Sequence, residues 1–296
     1  MPIKHLVLGG GGGGGFSIYG ALRHLEKNEF WKFNQIESIY ATSVGSLVAA
    51  MILLCKDWDI LDDYLTKRPW EKVITINPLD VINLWQNKGI LNENTIKDIL
   101  HPLLKAQDLS IDITLQELYQ YSNIELHMYT TNLNAKYPEK IDLSYKTHGD
   151  LVLSTALTMS AAFPIIFAPI CDSSYCYIDG GILNNFPLDD CILANPNEKE
   201  ILAIKITSLP ANPMINNEST LVNYLYTLSD GMYRLVSSED RQQSVTNLVN
   251  CAIDINDFAR WGEALKNIAA RQELVDIGDK YAQQFLDDRG LSMQDC

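Results

Sequence analysis

The chain has 296 residues, of which 47% are apolar and 20% charged, and its formal net charge is −14. That composition builds one large core or two modest ones and excludes an intrinsically disordered chain. With no basic stripe, the acidic balance disfavours nucleic acid as a partner and argues against binding an anionic membrane by bulk charge, so any membrane contact must be local and apolar.

Residues 1–8 are too short for the apolar region of a signal peptide and run straight into glycine. Six cysteines, Cys55, Cys171, Cys176, Cys191, Cys251 and Cys296, are sparse for this length. The expectation is free thiols in a reducing cytoplasm. Cys171 and Cys176 flank a hairpin turn, but no second ligand pair lies nearby, so no metal is expected.

Residues 4–8 read as a short strand. Seven glycines follow, Gly9 to Gly15. Ile18, Tyr19, Leu22 and Leu25 then recur at helical spacing. The glycines therefore form a strand-to-helix loop, and that loop has two functional readings. Gly10, Gly12 and Gly15 satisfy the dinucleotide fingerprint, which also wants an acidic residue ending the next strand. The next strand, over 36–41, ends in Ala-Thr-Ser, and Glu37 lies at its start. The phosphate-loop pattern fails, because no Lys-Ser or Lys-Thr follows the glycines. The other reading is an oxyanion hole: bare backbone N–H groups at a helix N-terminus can hold a developing negative charge.

Residues 39–50 run from an apolar strand through a tight turn into an apolar helix, with Ser43 at the turn. This is the layout of a nucleophile elbow. Small residues are needed where strand and helix approach each other, and Ala41 and Gly45 supply them. The competing reading is an ordinary helix N-cap by Ser43 or Thr42. The apolar run over 47–55 is far too short to span a membrane and reads as a buried helix behind Ser43.

A helix is expected over 57–66, then two more over 79–86 and 92–104, separated at Gly89 and with Asn92 as an N-cap. Trp58, Trp70 and Trp85 read as core or groove residues, or as an apolar rim that touches lipid. A short helix over 114–119 precedes a strand over 124–133. Asp150 can cap a helix over 151–161, which Pro164 stops. Residues 165–170 and 175–178 form a hairpin that leads into Asp179-Gly180-Gly181. An apolar strand lies over 201–206, Pro210 and Pro213 mark a loop, and 221–249 and 263–286 read as mostly helical. Strands alternating with helices indicate an α/β fold with a largely parallel sheet.

A serine nucleophile needs a base. The histidines are His5, His24, His101, His127 and His148, and none lies beyond Asp179. The hydrolase order of serine, acid, then histidine therefore cannot use Asp179 as its acid. His127 sits mid-strand and His148 in a polar loop, where each reads as structural or solvated. Asp179 ends a strand, and its two glycines allow a sharp turn; an ordinary turn is the plainer reading of the same three residues. A carboxylate becomes a workable base for serine when burial raises its pKa and an oxyanion hole stabilises the product charge.

A glycine loop before a helix, a Ser-x-Gly elbow and a distant Asp-Gly-Gly, in that order, resemble the patatin-like phospholipase family. So do Thr130-Thr131-Asn132-Leu133, which is similar to the family's ATNL strand, and the S-x-A-x-P-x-x-F-x-P block over 160–169. The resemblance covers residues 5–192. It implies a patatin-like catalytic core there and fades beyond it; 193–296, a strand and helices, is expected to complete the same domain, with partner binding by 208–296 as the other reading. The implied fold is a three-layer α/β sandwich whose mostly parallel central sheet is flanked by helices.

The resemblance also implies Ser43 as nucleophile, Asp179 as general base, and Gly10, Gly11 and Gly12 as oxyanion donors. Ala41, Gly45, Gly15, Gly180 and Gly181 would support the elbow and loops. It implies no metal or cofactor and a lipid or phospholipid substrate cleaved through an acyl-enzyme; for the cytoplasmic protein expected from the cysteines, contact with membrane surfaces is expected to be transient. The chain departs from the pattern twice. Gly14 stands where the family usually has Lys or Arg, and Ala41 stands for the first glycine of the elbow. Gly14 motivates an alternative, a catalytically weak or inactive relative that acts as a lipid-binding or interaction protein. A nucleotide-binding protein using the glycine loop is a third reading.

Overall fold

The computed structural model describes residues 1–75, 78–208, 214–221, 223–225, 227–228, 231–232, 245–253 and 258–291. The strands in chain order are β1 (His5–Leu8), β2 (Ser38–Thr42), β3 (Gly89–Leu91), β4 (Glu125–Asn132), β5 (Glu139–Leu143), β6 (Ile165–Phe167), β7 (Ile170–Cys171), β8 (Cys176–Asp179), β9 (Ile201–Ser208) and β10 (Asn247–Ile253). The helices used below are α1 (Gly15–Lys27), α2 (Val44–Leu54), α3 (Pro78–Asn87), α4 (Glu93–Ala106), α5 (Leu153–Ala161), α6 (Leu188–Ala194), α7 (Phe258–Lys266) and α8 (Ile268–Asp287).

The central sheet runs β10-β9-β1-β2-β4-β8-β7, with β5 also paired to β4. From β10 to β4 every pairing is parallel. Such strands are buried on both faces and need apolar side chains on both. Along β1, Leu6 and Leu8 enter one buried cluster while Val7 enters the other. Along β2, Ile39 and Ala41 part from Tyr40 in the same way. The larger cluster is covered by α1, α2, α4, α5 and α8, the smaller by α6. Helices on both faces of a mostly parallel sheet make the expected α/β sandwich.

Helix α1 packs on α8 at backbone distance. A Cβ added to Gly278 would stand 2.1 Å from the Ser17 carbonyl oxygen, and one on Gly20 would stand 2.2 Å from that of Val275. The Ser17 hydroxyl donates to the Leu274 carbonyl at 2.7 Å. Arg23 on α1 bridges Asp62 and Asp279. These contacts hold the start of α1, and with it the glycine loop, against the C-terminal helix.

Several elements differ from their expected form. Residues 247–253 form β10, in parallel with β9, where helix was expected as far as 249. The signal for a strand is the period-two burial of Asn247, Val249, Cys251 and Ile253. Much of 221–244, with Pro210 and Pro213, lies outside the described residues. Asp150 caps nothing, because α5 starts at Leu153 with Val152 as its N-cap. The expected hairpin is split: β6 pairs with β3 in a separate two-stranded sheet, and only β7 pairs with β8. Cys171 and Cys176 face each other across β7 and β8 and are joined as a disulfide, not free. Cys55, Cys191 and Cys251 are free and buried, and Cys296 lies outside the described residues.

The three tryptophans separate. Trp58 and Trp70 are core residues, whereas Trp85 is 94% exposed. Among the described residues no helix is long and apolar enough to cross a membrane.

Candidate active site

Ser43 and Asp179 lie 136 residues apart and are brought together by β4. Strand β2 pairs with β4 up to Thr42 opposite Tyr129. Strand β8 runs the other way and pairs with β4 from Thr130 opposite Asp179 onward. Strand β5 occupies the opposite flank over the same stretch, from Met128 opposite Leu143 to Asn132 opposite Glu139. So β2 and β8 share one flank of β4 and meet end to end. Their C-terminal residues point toward the same gap. This lies at the C-terminal edge of the parallel strands, where open α/β sheets place their ligands.

Ser43 has φ 54° and ψ −125°. A serine at positive φ is strained by about 1–3 kcal/mol, and such strain collects at functional sites. Its side chain makes no capping hydrogen bond to α2, which removes the N-cap reading. Thr42 is not the cap either, since its hydroxyl donates to the Asn184 carbonyl at 2.8 Å. The Ser43 hydroxyl instead donates to Asp179 Oδ2 at 2.7 Å. The Gly181 N–H donates to the other carboxylate oxygen, also at 2.7 Å. Asp179 is 3% exposed. Burial pushes its pKa up to about 6, against the opposing pull of the Ser43 and Gly181 hydrogen bonds.

The supporting small residues sit where strand, helix and turn backbones touch. Ala41 is fully buried in β2, so its methyl group is accommodated. A Cβ on Gly45 would meet the Leu8 carbonyl oxygen at 2.5 Å, and one on Gly180 would meet that of Tyr129 at 2.2 Å. Gly15 lies against Val44, and Gly181 against Asp179 and Asn185.

The glycine loop divides. The Gly10 N–H, expected as an oxyanion donor, donates to the Asn185 carbonyl at 2.8 Å and is already spent. Gly12–Gly14 form a 3-10 turn. Among the described residues nothing accepts from the N–H groups of Gly11, Gly12 or Gly13. Unpartnered donors of this kind are usual at a helix start. Gly14 is buried, and a Cβ there would stand 2.7 Å from Ile253 Cδ1 and 3.1 Å from Ile206 Cγ1. Isoleucines from β9 and β10 therefore fill the space beside the position where the resembled pattern has a lysine or arginine and this chain has Gly14. Glu37 pairs with Lys4 just ahead of β1, at the far end of that strand from the glycines, so the dinucleotide reading loses its acidic residue.

A cavity of about 310 Å³ lies over this edge and is lined by Gly11, Gly12, Gly13, Ser43 and Asp179. Its remaining wall is mainly apolar, with Phe16, Leu47, Ile99, Phe163, Ile166 and Trp261. No histidine reaches it. His127 lies between Asp142 and Glu125 and stacks on Tyr40, and His5 bonds Ser38 at the start of β2. His148 bonds its neighbour Thr147. Among the described residues no group of three or more His, Cys, Asp or Glu is placed to hold a metal ion.

Two residues of the site had no role assigned from sequence. Ser160, on α5, is fully buried. Its hydroxyl accepts from the Ser43 N–H at 3.1 Å, donates to the Tyr129 carbonyl at 2.7 Å and lies 3.0 Å from the Ser46 hydroxyl. Its carbonyl accepts from the Gly180 N–H at 3.2 Å. One serine thus ties the elbow, β4 and the Asp-Gly-Gly turn together. Trp261, on α7, lays its indole over the glycine loop. A Cβ on Gly12 would stand 1.8 Å from it, and one on Gly13 would stand 2.6 Å away. The only signal for this contact was a tryptophan in an amphipathic run.

The chain is similar to known proteins in sequence and in fold. Uncharacterized protein R571 of Acanthamoeba polyphaga mimivirus is 26% identical over 267 residues, which covers 86% of this chain and 86% of that one. Probable lipid hydrolase 463L of Invertebrate iridescent virus 6 is 31% identical over 192 residues, covering 64% of this chain and 63% of that one. The fold matches that of VipD from Legionella pneumophila with a TM-score of 0.56 at 17% identity, over 97% of this chain and 67% of that one. The patatin-like phospholipase model matches residues 6–192, more than half of the chain, and the chain belongs to that family.

Proposed function

We propose that this member of a lipid-hydrolase family cleaves carboxylic esters of lipids with a Ser43–Asp179 dyad. The observation that carries the reading is the 2.7 Å hydrogen bond from the Ser43 hydroxyl to a buried carboxylate on the floor of an apolar cavity. Asp179 takes the hydroxyl proton as Ser43 Oγ attacks the ester carbonyl carbon. The carbonyl π electrons move onto oxygen, and the N–H groups of Gly11 and Gly12 hold that oxyanion. Collapse of the tetrahedral intermediate expels the alcohol, which leaves with the proton held by Asp179. Water then attacks the acyl-Ser43 carbonyl with Asp179 again as base; the Oγ–acyl bond breaks, Asp179 returns its proton to Ser43 Oγ, and the fatty acid departs. Raising the Asp179 pKa from 3.8 to about 6 narrows its mismatch with a serine hydroxyl by about 3 kcal/mol.

The experiment that tests this reading is labelling with a fluorophosphonate ester, followed by mass spectrometry. Such a reagent needs an activated serine and a working oxyanion site but no particular lipid. The expected adduct is on Ser43 and is absent from Asp179→Asn. A folded protein that takes no label would instead be a lipid-binding relative without turnover.

Trp261 acts in this reading as the clamp on a loop of seven glycines, a sequence that is costly in entropy to order. Trp261→Ala is expected to lower kcat for a monomeric ester by about 10- to 100-fold through misplaced donors. Trp261→Phe should recover most of that loss. Amide exchange at Gly11 to Gly14 should quicken in the alanine variant; unchanged exchange with a raised KM would make Trp261 a wall of the cavity only. Free buried Cys55, Cys191 and Cys251 support a cytoplasmic setting, while the Cys171–Cys176 pair stands against it.

A further inference from the structure

We propose that α3 (Pro78–Asn87) is the face on which this protein docks to a neutral or zwitterionic lipid bilayer, and that it brings the cavity mouth to the bilayer surface. The inference rests on the lipid-hydrolase reading above and adds the surface by which the site reaches its substrate. Leu79, Ile82 and Trp85 follow one another at three-residue intervals on one stripe of the helix and are 66%, 70% and 94% exposed. A tryptophan this exposed next to two exposed aliphatic side chains costs solubility and marks an interaction surface.

The helix is bracketed by the cavity wall. Ile74 before it and Leu91 after it both line the cavity. Leu91 sits in β3, which pairs with β6, whose Ile166 and Phe167 line the same wall. Residues shortly before and shortly after the helix thus belong to the cavity wall, as a route for an acyl chain from a bilayer to the cavity requires.

Charge and area select the occupant. The sequence of α3, Pro-Leu-Asp-Val-Ile-Asn-Leu-Trp-Gln-Asn, has one charged residue and no lysine or arginine. Interfacial helices that bind anionic lipid carry basic residues on their polar face. A chain of net charge −14 with such a helix is suited to uncharged headgroups, with Trp85 at the polar–apolar boundary. A second copy fits less well. Three side chains offer roughly 400 Å² per partner, about half of what a stable protein interface buries.

The test uses the full chain in a Ser43→Ala background for binding, so that vesicles stay intact. Phosphatidylcholine vesicles with brominated acyl chains should sediment the protein and quench part of its tryptophan fluorescence. That quenching should vanish in Trp85→Ala. The triple variant Leu79→Ser/Ile82→Ser/Trp85→Ser should bind at least tenfold more weakly. In the Ser43 background it should lose hydrolysis of vesicle lipid in step, while hydrolysis of a monomeric short-chain ester is unchanged. If the triple variant fails to fold by circular dichroism, Trp85→Ala alone is read in the same assays.

Equal vesicle binding by wild type and variant overturns the proposal. So does binding that requires phosphatidylserine and fades with salt, or a wild type that is dimeric where Trp85→Ala is monomeric. A protein that docks through these residues but hydrolyses no ester keeps this inference and overturns the dyad.

Discussion

Ser43→Ala is expected to lower kcat/KM for ester hydrolysis by about 10⁴-fold or more while leaving the fold intact. Removing the proposed nucleophile closes the acyl-enzyme route, and among the described residues lining the cavity no other hydroxyl is placed to replace it. Ser160 and Ser46 are the nearest candidates, but both are fully buried and bonded to each other. The residual rate would come from substrate binding and the glycine donors acting on water. Stability should change little. The variant retains a Cβ at the same positive φ, so the backbone strain of the elbow is unaltered. What it loses is one hydrogen bond to Asp179, whose carboxyl then sits in an apolar site with only the Gly181 N–H as donor. Asp179 should therefore hold its proton to higher pH than in the wild type, which can be followed by the carboxyl carbon shift in NMR. A variant that keeps more than a tenth of the activity would mean that the nucleophile is elsewhere.

The local pieces of this site were legible because each is a short-range signal. The elbow can be read from a strand, two small residues and an apolar helix, and the Asp-Gly-Gly turn from three consecutive residues. Their meeting is set by registers that no local pattern carries: β2 ends opposite Tyr129 on β4, and the antiparallel β8 ends opposite Thr130 on the same flank. The family resemblance supplied that pairing in place of any spacing rule.

The misreadings have the same origin. Gly10 looked equivalent to Gly11 and Gly12 in a run of identical residues; the difference is a carbonyl at Asn185, far away in sequence. The cover over Gly12 and Gly13 comes from Trp261, outside the region that resembles the family. The disulfide followed from cross-strand register between Cys171 and Cys176, a pair that composition alone assigned to free thiols. Strand β10, Asn-Leu-Val-Asn-Cys-Ala-Ile, alternates in burial but not in hydropathy, and it sits beside a region whose spacing reads as helix.

Asp179→Asn is expected to abolish hydrolysis and to make the protein more stable at neutral pH. The amide cannot accept the serine proton, and loss of a positioned general base costs about 10²–10⁴ in rate. Asparagine fills the same volume and satisfies both partners, since its Oδ1 can accept from the Gly181 N–H and its Nδ2 can donate to Ser43 Oγ. The gain in stability follows from the buried charge. Asp179 has its pKa raised by burial from 3.8 to about 6, so between those values the folded protein binds more protons than the unfolded chain. Its contribution to stability is therefore fully present below about pH 3.8 and is lost as pH rises through about 6. At pH 7 and above the wild type has given up about 3 kcal/mol that the neutral amide retains. The two melting temperatures should converge near pH 4 and part by several degrees at pH 8, with the variant higher. Wild-type kcat/KM should fall about tenfold per pH unit below about 6, as the base takes up its proton. An Asp179→Asn protein less stable than wild type at pH 8 would show that the carboxylate is held by stronger partners than Ser43 and Gly181. A flat activity profile down to pH 5 would remove Asp179 as the base. If both results come out as expected, the same burial that makes Asp179 basic enough to serve Ser43 is also what the fold gives up in stability to keep it there.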